Sequence, residues 1–321
     1  MKLQTGLVID ERFLKHRTGP GHPERPERLV AISRALAESG LGHGCKPLST
    51  RKASQEQILG VHTAKYVERL RKACERGDQH IDSHDSAICP DSFETALLAA
   101  GSVLEAVDRV MDGDVRNAFC AVRPPGHHCE RTESMGFCLF ANVAIAAQYL
   151  LDEHGLDRVA VVDWDVHHGN GTQHIFEESS KVYFCSLHGH PDHVYPGTGY
   201  ASECGRADGK GATLNIPLLP GSGDDEYRRA FEEQVLPKLD EFKPEALIIS
   251  AGFDAHARDP LAPLELQSES FAWMTQHLVD VAARHCSRRL ISVLEGGYDL
   301  QALSESVCQH VRTLQAEAGR D

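Results

Sequence analysis

Short, nearly continuous apolar runs recur along the chain with amphipathic stretches between them, and this alternation constrains the fold more than any other feature. The runs lie at residues 4–9, 118–122, 159–162, 182–186, 246–250 and 290–294; helical patterns fill 26–38, 91–111, 139–154, 225–242 and 268–285. Strands that are apolar on both faces suit a parallel sheet, and the intervening helices supply its two covers. No internal repeat, low-complexity tract or long Gly/Ser or Pro linker divides the sequence, so residues 1–321 read as a single α/β domain. With 321 residues, 41% of them hydrophobic, the chain can build a sizeable core.

Four of the runs end in turns loaded with chemistry. Residues 118–122 lead into RPPGHHCE, 159–162 into DWDVHHGN, 246–250 into AGFDAH and 290–294 into EGGYD. Open α/β sheets bind ligands beyond the carboxyl ends of their strands, so these four loops are expected to meet at one edge.

If DWDVH continues as extended chain, Asp163, Asp165 and His167 project to one side and His168 to the other, because side chains alternate along a strand. With Asp254 from the next loaded turn, Asp165 and His167 make a three-donor site with a position left for water, as a catalytic zinc requires. On local signal alone the aspartates could instead cap a helix beginning near Thr172, with His167 packed in the core. The tandem His127 and His128 follow a Pro-Pro-Gly turn and can serve as ligands, as acid/base groups or as a satisfied polar pair. Tyr298 follows two glycines, and a phenol beside a metal can polarise a carbonyl. Together the parts describe metal-assisted hydrolysis with a histidine base.

Charge and cysteines narrow the class. Net charge is −14, from 47 acidic and 33 basic residues, which disfavours direct nucleic-acid binding and suits a cationic substrate. Ten scattered cysteines without a CxxC pair, and no apolar h-region or 18-residue apolar run, point to a cytoplasmic protein with neither leader nor membrane span. Nine of the 19 histidines fall between His127 and His193.

HPERPERL (22–29), RPPGHH (123–128), GFCLFANVA (136–144), VDWDVHHGNGTQHIF (162–176), SLH (186–188), YPGTG (195–199), SAGFDAH (250–256), RDPLA (258–262) and LEGGYDL (294–300) occur in this order over nearly the whole chain. In this combination the sequence resembles the zinc-dependent histone deacetylase family, in the branch of class II and bacterial amidohydrolase-like members. The resemblance implies an arginase/deacetylase-like three-layer sandwich around a mainly parallel sheet, and an enzyme that removes acyl groups from lysine ε-amines. It implies Zn2+ on Asp165, His167 and Asp254, a donor set that also accepts Fe2+. It casts His128 as general base and acid, His127 as its electrostatic partner bonded to Asp163, and Tyr298 as the carbonyl-polarising phenol. Asn170 stands behind His128 where some members carry aspartate. Phe137 and Tyr195 would wall a tube for the lysine stem, Gly136 would flank the passing amide, and Leu261 would stand at its mouth; His22 could line the rim or equally pack within its own loop. A structural K+ is implied on the carbonyls of Asp163, Asp165 and His167, with Ser186 and Leu187, Asp163 supplying side-chain oxygen as well.

The alternatives turn on single positions. Arginase-type enzymes hold two metals with further aspartates, where this chain has Gly169 and His256. Relatives selective for acetylated polyamines carry glutamate near the channel mouth, where this chain has Leu261; Glu265 and Asp192 keep a small acylated amine in play. An inactive acyl-lysine-binding scaffold has no need of Tyr298 and every ligand. His188, His190 and His193 offer a weaker second metal site, His62 reads as a buried structural histidine, and Asp85, Ser86 and Asp91 share a loop that could meet the substrate backbone. Cys129 and Cys138 lie near enough to the site for oxidation to matter. An oligomer is compatible with all of this.

Overall fold

The computed structural model describes residues 3–319, so the outermost positions of the 1–321 domain assignment lie outside the described residues. Among the described residues ten strands occur: β1 (Thr5–Val8), β2 (Lys46–Pro47), β3 (His80–Ile81), β4 (Ser83–Ala87), β5 (Asn117–Cys120), β6 (Val159–Asp163), β7 (Val182–Gly189), β8 (Thr213–Leu218), β9 (Ala246–Ala251) and β10 (Leu290–Leu294). Eight of them form one sheet in the order β2-β1-β5-β10-β9-β6-β7-β8, with every pairing parallel; β3 and β4 make a separate small hairpin.

Every residue of β1, β5, β6, β9 and β10 is buried. Since successive side chains point to opposite faces, both faces of the sheet are covered, which explains why these segments are apolar without alternation. One cover is built from the helices Glu27–Glu38, Ser268–His285 and Leu300–Ala318, which pack on one another; the helices Ser92–Met111 and Asn142–Asp152 pack together as another. Among the described residues no helix is long and apolar enough to cross a membrane.

The six apolar runs all become strands. Of the eight strands in the main sheet, the two they miss are its edges; the hairpin strands β3 and β4 also fall outside the runs. β8 carries Pro217 and is interrupted by the polar Thr213 and Asn215, with Leu214 and Pro217 only half-buried, and β2 is two residues ending in Pro47. Proline is tolerated at an edge because no outer neighbour needs its missing N–H, and such a strand has no continuous apolar signature. The helices Ala64–Arg76 and Leu300–Ala318 also fall outside the segments singled out from sequence. Thr63 caps the first, and the Asp299 side chain accepts from Ala302 N at 2.7 Å to start the second.

The order of the sheet decides where the chemistry gathers. β5, β10, β9 and β6 are consecutive neighbours at its centre, so the four loaded turns emerge side by side from one edge.

Candidate active site

β6 ends at Asp163, which pairs in register with Ser250 of β9 and Ser186 of β7. Just beyond, Asp165 and His167 project beside Asp254 from the loop after β9. One donor atom from each of the three comes within 4.8 Å of the others, and all three residues are buried. His167 Nδ1 lies 3.0 Å from Asp165 Oδ1 and 3.3 Å from Asp254 Oδ2. The aspartates cap nothing: the following helix, Asn170–Phe176, starts from Gly169 without a side-chain cap.

Backbone amides hold the carboxylates in place. Val166 N donates to Asp254 Oδ1 at 2.9 Å, Gly296 N to Asp165 Oδ2 at 2.7 Å and Asp165 N to Asp163 Oδ1 at 3.0 Å. Asp254 Oδ2 is buried and accepts no hydrogen bond. Desolvating an ion costs several kcal/mol, so buried carboxylates with an unused oxygen fit a bound cation far better than an apolar core. The donor set of two oxygens and one imidazole nitrogen suits a mononuclear divalent metal. Gly296 makes the close approach possible, because a Cβ there would run into Asp254 Oδ2 and Asp165 Oδ2. Among the described residues no other trio of His, Cys, Asp or Glu gathers its donor atoms in this way.

The tandem histidines sit against this trio with ring centroids 4.0 Å apart. His127 Nδ1 lies 2.9 Å from Asp163 Oδ2. Burial opposes protonation of His127, but the carboxylates of Asp165 and Asp163 outweigh it and push the imidazole up to about 10. His128 goes the other way: burial and the neighbouring His127 and His167 hold it well below the ordinary histidine range. Paired imidazoles displaced in opposite directions are the arrangement of one electrostatic group and one proton acceptor. His128 Nδ1 lies 2.7 Å from Asn170 Oδ1.

A cavity of about 270 Å³ opens onto these groups, lined by Asp85, His128, Gly136, Phe137, His167, Tyr195, Leu261 and Tyr298. Tyr195 meets the His128 ring edge-on at 5.2 Å and Phe137 meets Tyr298 at 5.9 Å. Phe137 stands at φ 67°, after Gly136 at φ 55°. Glycine is required at 136, where a Cβ would enter the His128 ring, whereas Phe137 accepts backbone strain to turn its ring inward. Of the loop residues left undecided from sequence, Asp85 lines the cavity; Ser86 is buried against Ser83, and Asp91 sits at the start of the helix Ser92–Met111.

Other residues singled out from the sequence lie outside the trio, His168 and His62 as expected. His22 is not part of the lining; it packs edge-on against Phe137, centroids 4.7 Å apart, because its Nδ1 is tied to the Glu24 backbone. His168 is bonded to Thr198 at 2.8 Å and to Gln173 at 2.8 Å, away from the trio. His188 uses both nitrogens, on Ser186 and on the Gly199 carbonyl. Asp192 is bonded to Tyr200 at 2.7 Å, and neither it nor Glu265 lines the cavity. His62 is buried between the Glu130 carbonyl and Ala141 N. Cys129 and Cys138 are fully buried, and burial pushes both thiols up, away from the reactive thiolate form.

Sequence reasoning missed the supports behind these groups. Glu295 accepts from Gly126 N at 2.7 Å and His127 N at 3.2 Å, bracing the histidine turn against β10. Asp259 accepts from Tyr298 N at 2.7 Å and Leu261 N at 3.1 Å, joining the phenol to the rim. Burial pushes both carboxyls up to about 7. Glu24 is buried against Arg28 and Arg123, and the Arg28 guanidinium lies 5.1 Å over the Tyr298 ring while donating to Gly297 O at 2.7 Å. The available signal was a charge embedded in an apolar or glycine-rich stretch, as in LEGG.

Comparison with known proteins bears on the fold and the family. The histone deacetylase domain family matches residues 22–314. A histone deacetylase-like amidohydrolase of Pseudomonas aeruginosa is 42% identical over 316 residues, covering 93% of this chain and 82% of that protein. A polyamine deacetylase of Homo sapiens is 42% identical over 97% of this chain, which spans 48% of that longer protein. The crystal structure of the HDA15 HD domain superposes with a TM-score of 0.93 at 38% identity, covering 99% of this chain and 91% of that one.

Proposed function

The chain belongs to the histone deacetylase family and is a hydrolase of amide bonds, and from that premise we propose that it removes acetyl or other acyl groups from the ε-amine of lysine in proteins or peptides. The observation that carries this reading is the buried Asp165, His167 and Asp254 trio beside a cavity walled by Phe137 and Tyr195.

A Zn2+ ion, or Fe2+ in its place, held by Asp165, His167 and Asp254 would supply Lewis acidity to water and to the amide carbonyl. His128 accepts the proton of the attacking water at Nε2 and returns it to the leaving amine. His127, bonded through Nδ1 to the Asp163 carboxylate, is the electrostatic partner of His128. Burial and Asp254 hold the Tyr298 phenol well above its ordinary range, so it stays a hydrogen-bond donor aimed at the carbonyl oxygen. Phe137 and Tyr195 grip a (CH2)4 stem, and the absent side chain of Gly136 leaves room for the amide.

A K+ ion on Asp163, Asp165, His167, Ser186 and Leu187 belongs to the same reading. The Gly199 carbonyl can only accept, so His188 donates from Nε2 and accepts the Ser186 hydroxyl proton at Nδ1, 2.8 Å away. The Ser186 oxygen lone pairs are thereby left for a cation next to its register partner Asp163. A cytoplasmic setting is supported by ten free cysteines.

A small acylated polyamine is the second reading, favoured by the identity to the human polyamine deacetylase and by the net charge of −14. Leu261 at the cavity speaks for acyl-lysine, since it offers a second ammonium no counter-charge. The deciding experiment assays acetyl-lysine peptides, longer acyl-lysines and acetylspermidine-type amines side by side after metal is restored to the metal-free protein. Peptide hydrolysis is expected. Activity confined to polyamines would replace the first reading with the second, and inactivity on every amide would end both.

A further inference from the structure

Glu130 has no part in the chemistry described so far, yet it ends a chain of hydrogen bonds that begins at His128. The Asn170 side chain links the two. Its Oδ1 lies 2.7 Å from His128 Nδ1, and its amide nitrogen donates to Glu130 Oε1 at 2.6 Å and to the His128 carbonyl at 3.2 Å. The same nitrogen touches Met135 Sδ at 3.4 Å. Glu130 Oε1 also accepts from His174 Nδ1 at 2.7 Å, and the two side chains are 16% and 40% exposed. His128 and Asn170 are buried, so water cannot take over either bond.

The direction of every link is forced. A carboxylate and a backbone carbonyl only accept, so the NH2 end of the Asn170 amide must face Glu130 and its oxygen must face His128. An amide oxygen also only accepts. The proton of neutral His128 therefore sits on Nδ1, and Nε2 keeps its lone pair for the reaction. Turning the amide over would put an N–H against Nδ1 and drive the His128 proton onto Nε2, the atom that has to be empty. The bond from Asn170 to a charged acceptor is roughly twice as strong as a neutral one, enough to bias the amide decisively.

We propose that Glu130 is a positioning residue, which fixes the Asn170 amide and through it the tautomer of His128. The inference rests on His128 being the proton acceptor, as proposed above. The carboxylate that supports the base stands one side chain away, with an asparagine as the relay, and His174 anchors it from the surface side.

Two readouts test this. Imidazole 15N shifts of the His128 ring, assigned by difference with His128→Gln, report the tautomer without any turnover. The Nδ1–H form is expected in the wild type, with the Nε2–H form gaining in Glu130→Ala. In steady-state assays Glu130→Ala is expected to lower kcat about tenfold, with KM changed less than about twofold. The second readout is epistasis. Asn170→Asp sets two carboxylates face to face and is expected to be impaired, whereas adding Glu130→Gln gives the introduced carboxylate a donor and restores activity above that of Asn170→Asp alone. A purely structural Glu130 would make the two substitutions multiply their losses. An unchanged tautomer in Glu130→Ala, or multiplied losses in the double variant, overturns the proposal while leaving the deacylase reading intact. A wild type inactive on every amide whose His128 tautomer still responds to Glu130→Ala removes the functional reading and leaves the relay standing.

Discussion

His127 and Asp163 are 36 residues apart in sequence, yet Nδ1 of one lies 2.9 Å from Oδ2 of the other, with both side chains buried. The pair joins the turn after β5 to the last residue of β6, with β10 and β9 lying between those two strands, and it sets the charge of the site. Asp163→Asn keeps the shape and removes that charge. Its kcat on an acetyl-lysine peptide is expected to fall by about 100-fold, with the thermal unfolding midpoint nearly unchanged. Scanning calorimetry beside steady-state kinetics separates the two effects.

Asp254 is held in tension with Asp165. Burial and the neighbouring carboxylate both raise its pKa in the absence of a cation. Asp254→Asn is therefore expected to abolish metal uptake and activity while stabilising the metal-free protein by a few degrees in Tm. Metal analysis, turnover and melting curves of the chelator-treated proteins give the three readings. A loss of stability in the metal-free variant would contradict the electrostatic account.

Tyr298→Phe removes one hydroxyl from a ring that Phe137 and Arg28 still hold. A fall in kcat of about 100-fold is expected, the usual loss for a single oxyanion donor. Because the phenol is held well above its ordinary pKa, the pH profile of the wild type should show no phenol ionisation below pH 10. Stopped assays across pH 6–10 check both points.

Leu261 is half-exposed at the cavity. Leu261→Glu places a carboxylate where a second ammonium of a polyamine would sit. Across about 5 Å at an effective dielectric near 20 that attraction is worth about 3 kcal/mol, so at least a tenfold shift in kcat/KM toward acetylspermidine over peptide is expected. A competition assay with both substrates reads the ratio directly.

Acid should weaken the fold through its buried neutral histidines. Burial lowers His16 and His310 to about 3, below the value near 6.5 of an unfolded chain. Between those values the unfolded state binds more protons, so the stabilisation is complete above pH 6.5 and is lost as pH falls toward 3. Each such group contributes a slope of about 1.4 kcal/mol per pH unit in that window. Urea unfolding between pH 7.5 and 5 should show the decline, and His310→Gln, which keeps one bond to Thr275 or Ser292, should flatten it.

The sequence alone determined the central strands, the class of fold and the residues of the Asp165, His167 and Asp254 trio. Short β-branched runs without alternation, bounded by turn residues, suit strands buried on both faces, and Asp165, His167, Asp254 and Tyr298 follow such runs directly. Edge strand β8 escapes because Thr213, Asn215 and Pro217 interrupt its apolar residues, and the choice between rim and loop for His22 stays open in sequence because no local rule shows that its ring is turned onto Phe137. What only the tertiary structure decided is the set of supports: Glu295 under Gly126, Asp259 under Tyr298 and Leu261, Arg28 over Tyr298, and Glu130 behind Asn170. Each acts through a hydrogen bond or ring contact to a residue far away in the chain or on another loop. Such bonds depend on distance and direction in three dimensions, and sequence order carries neither.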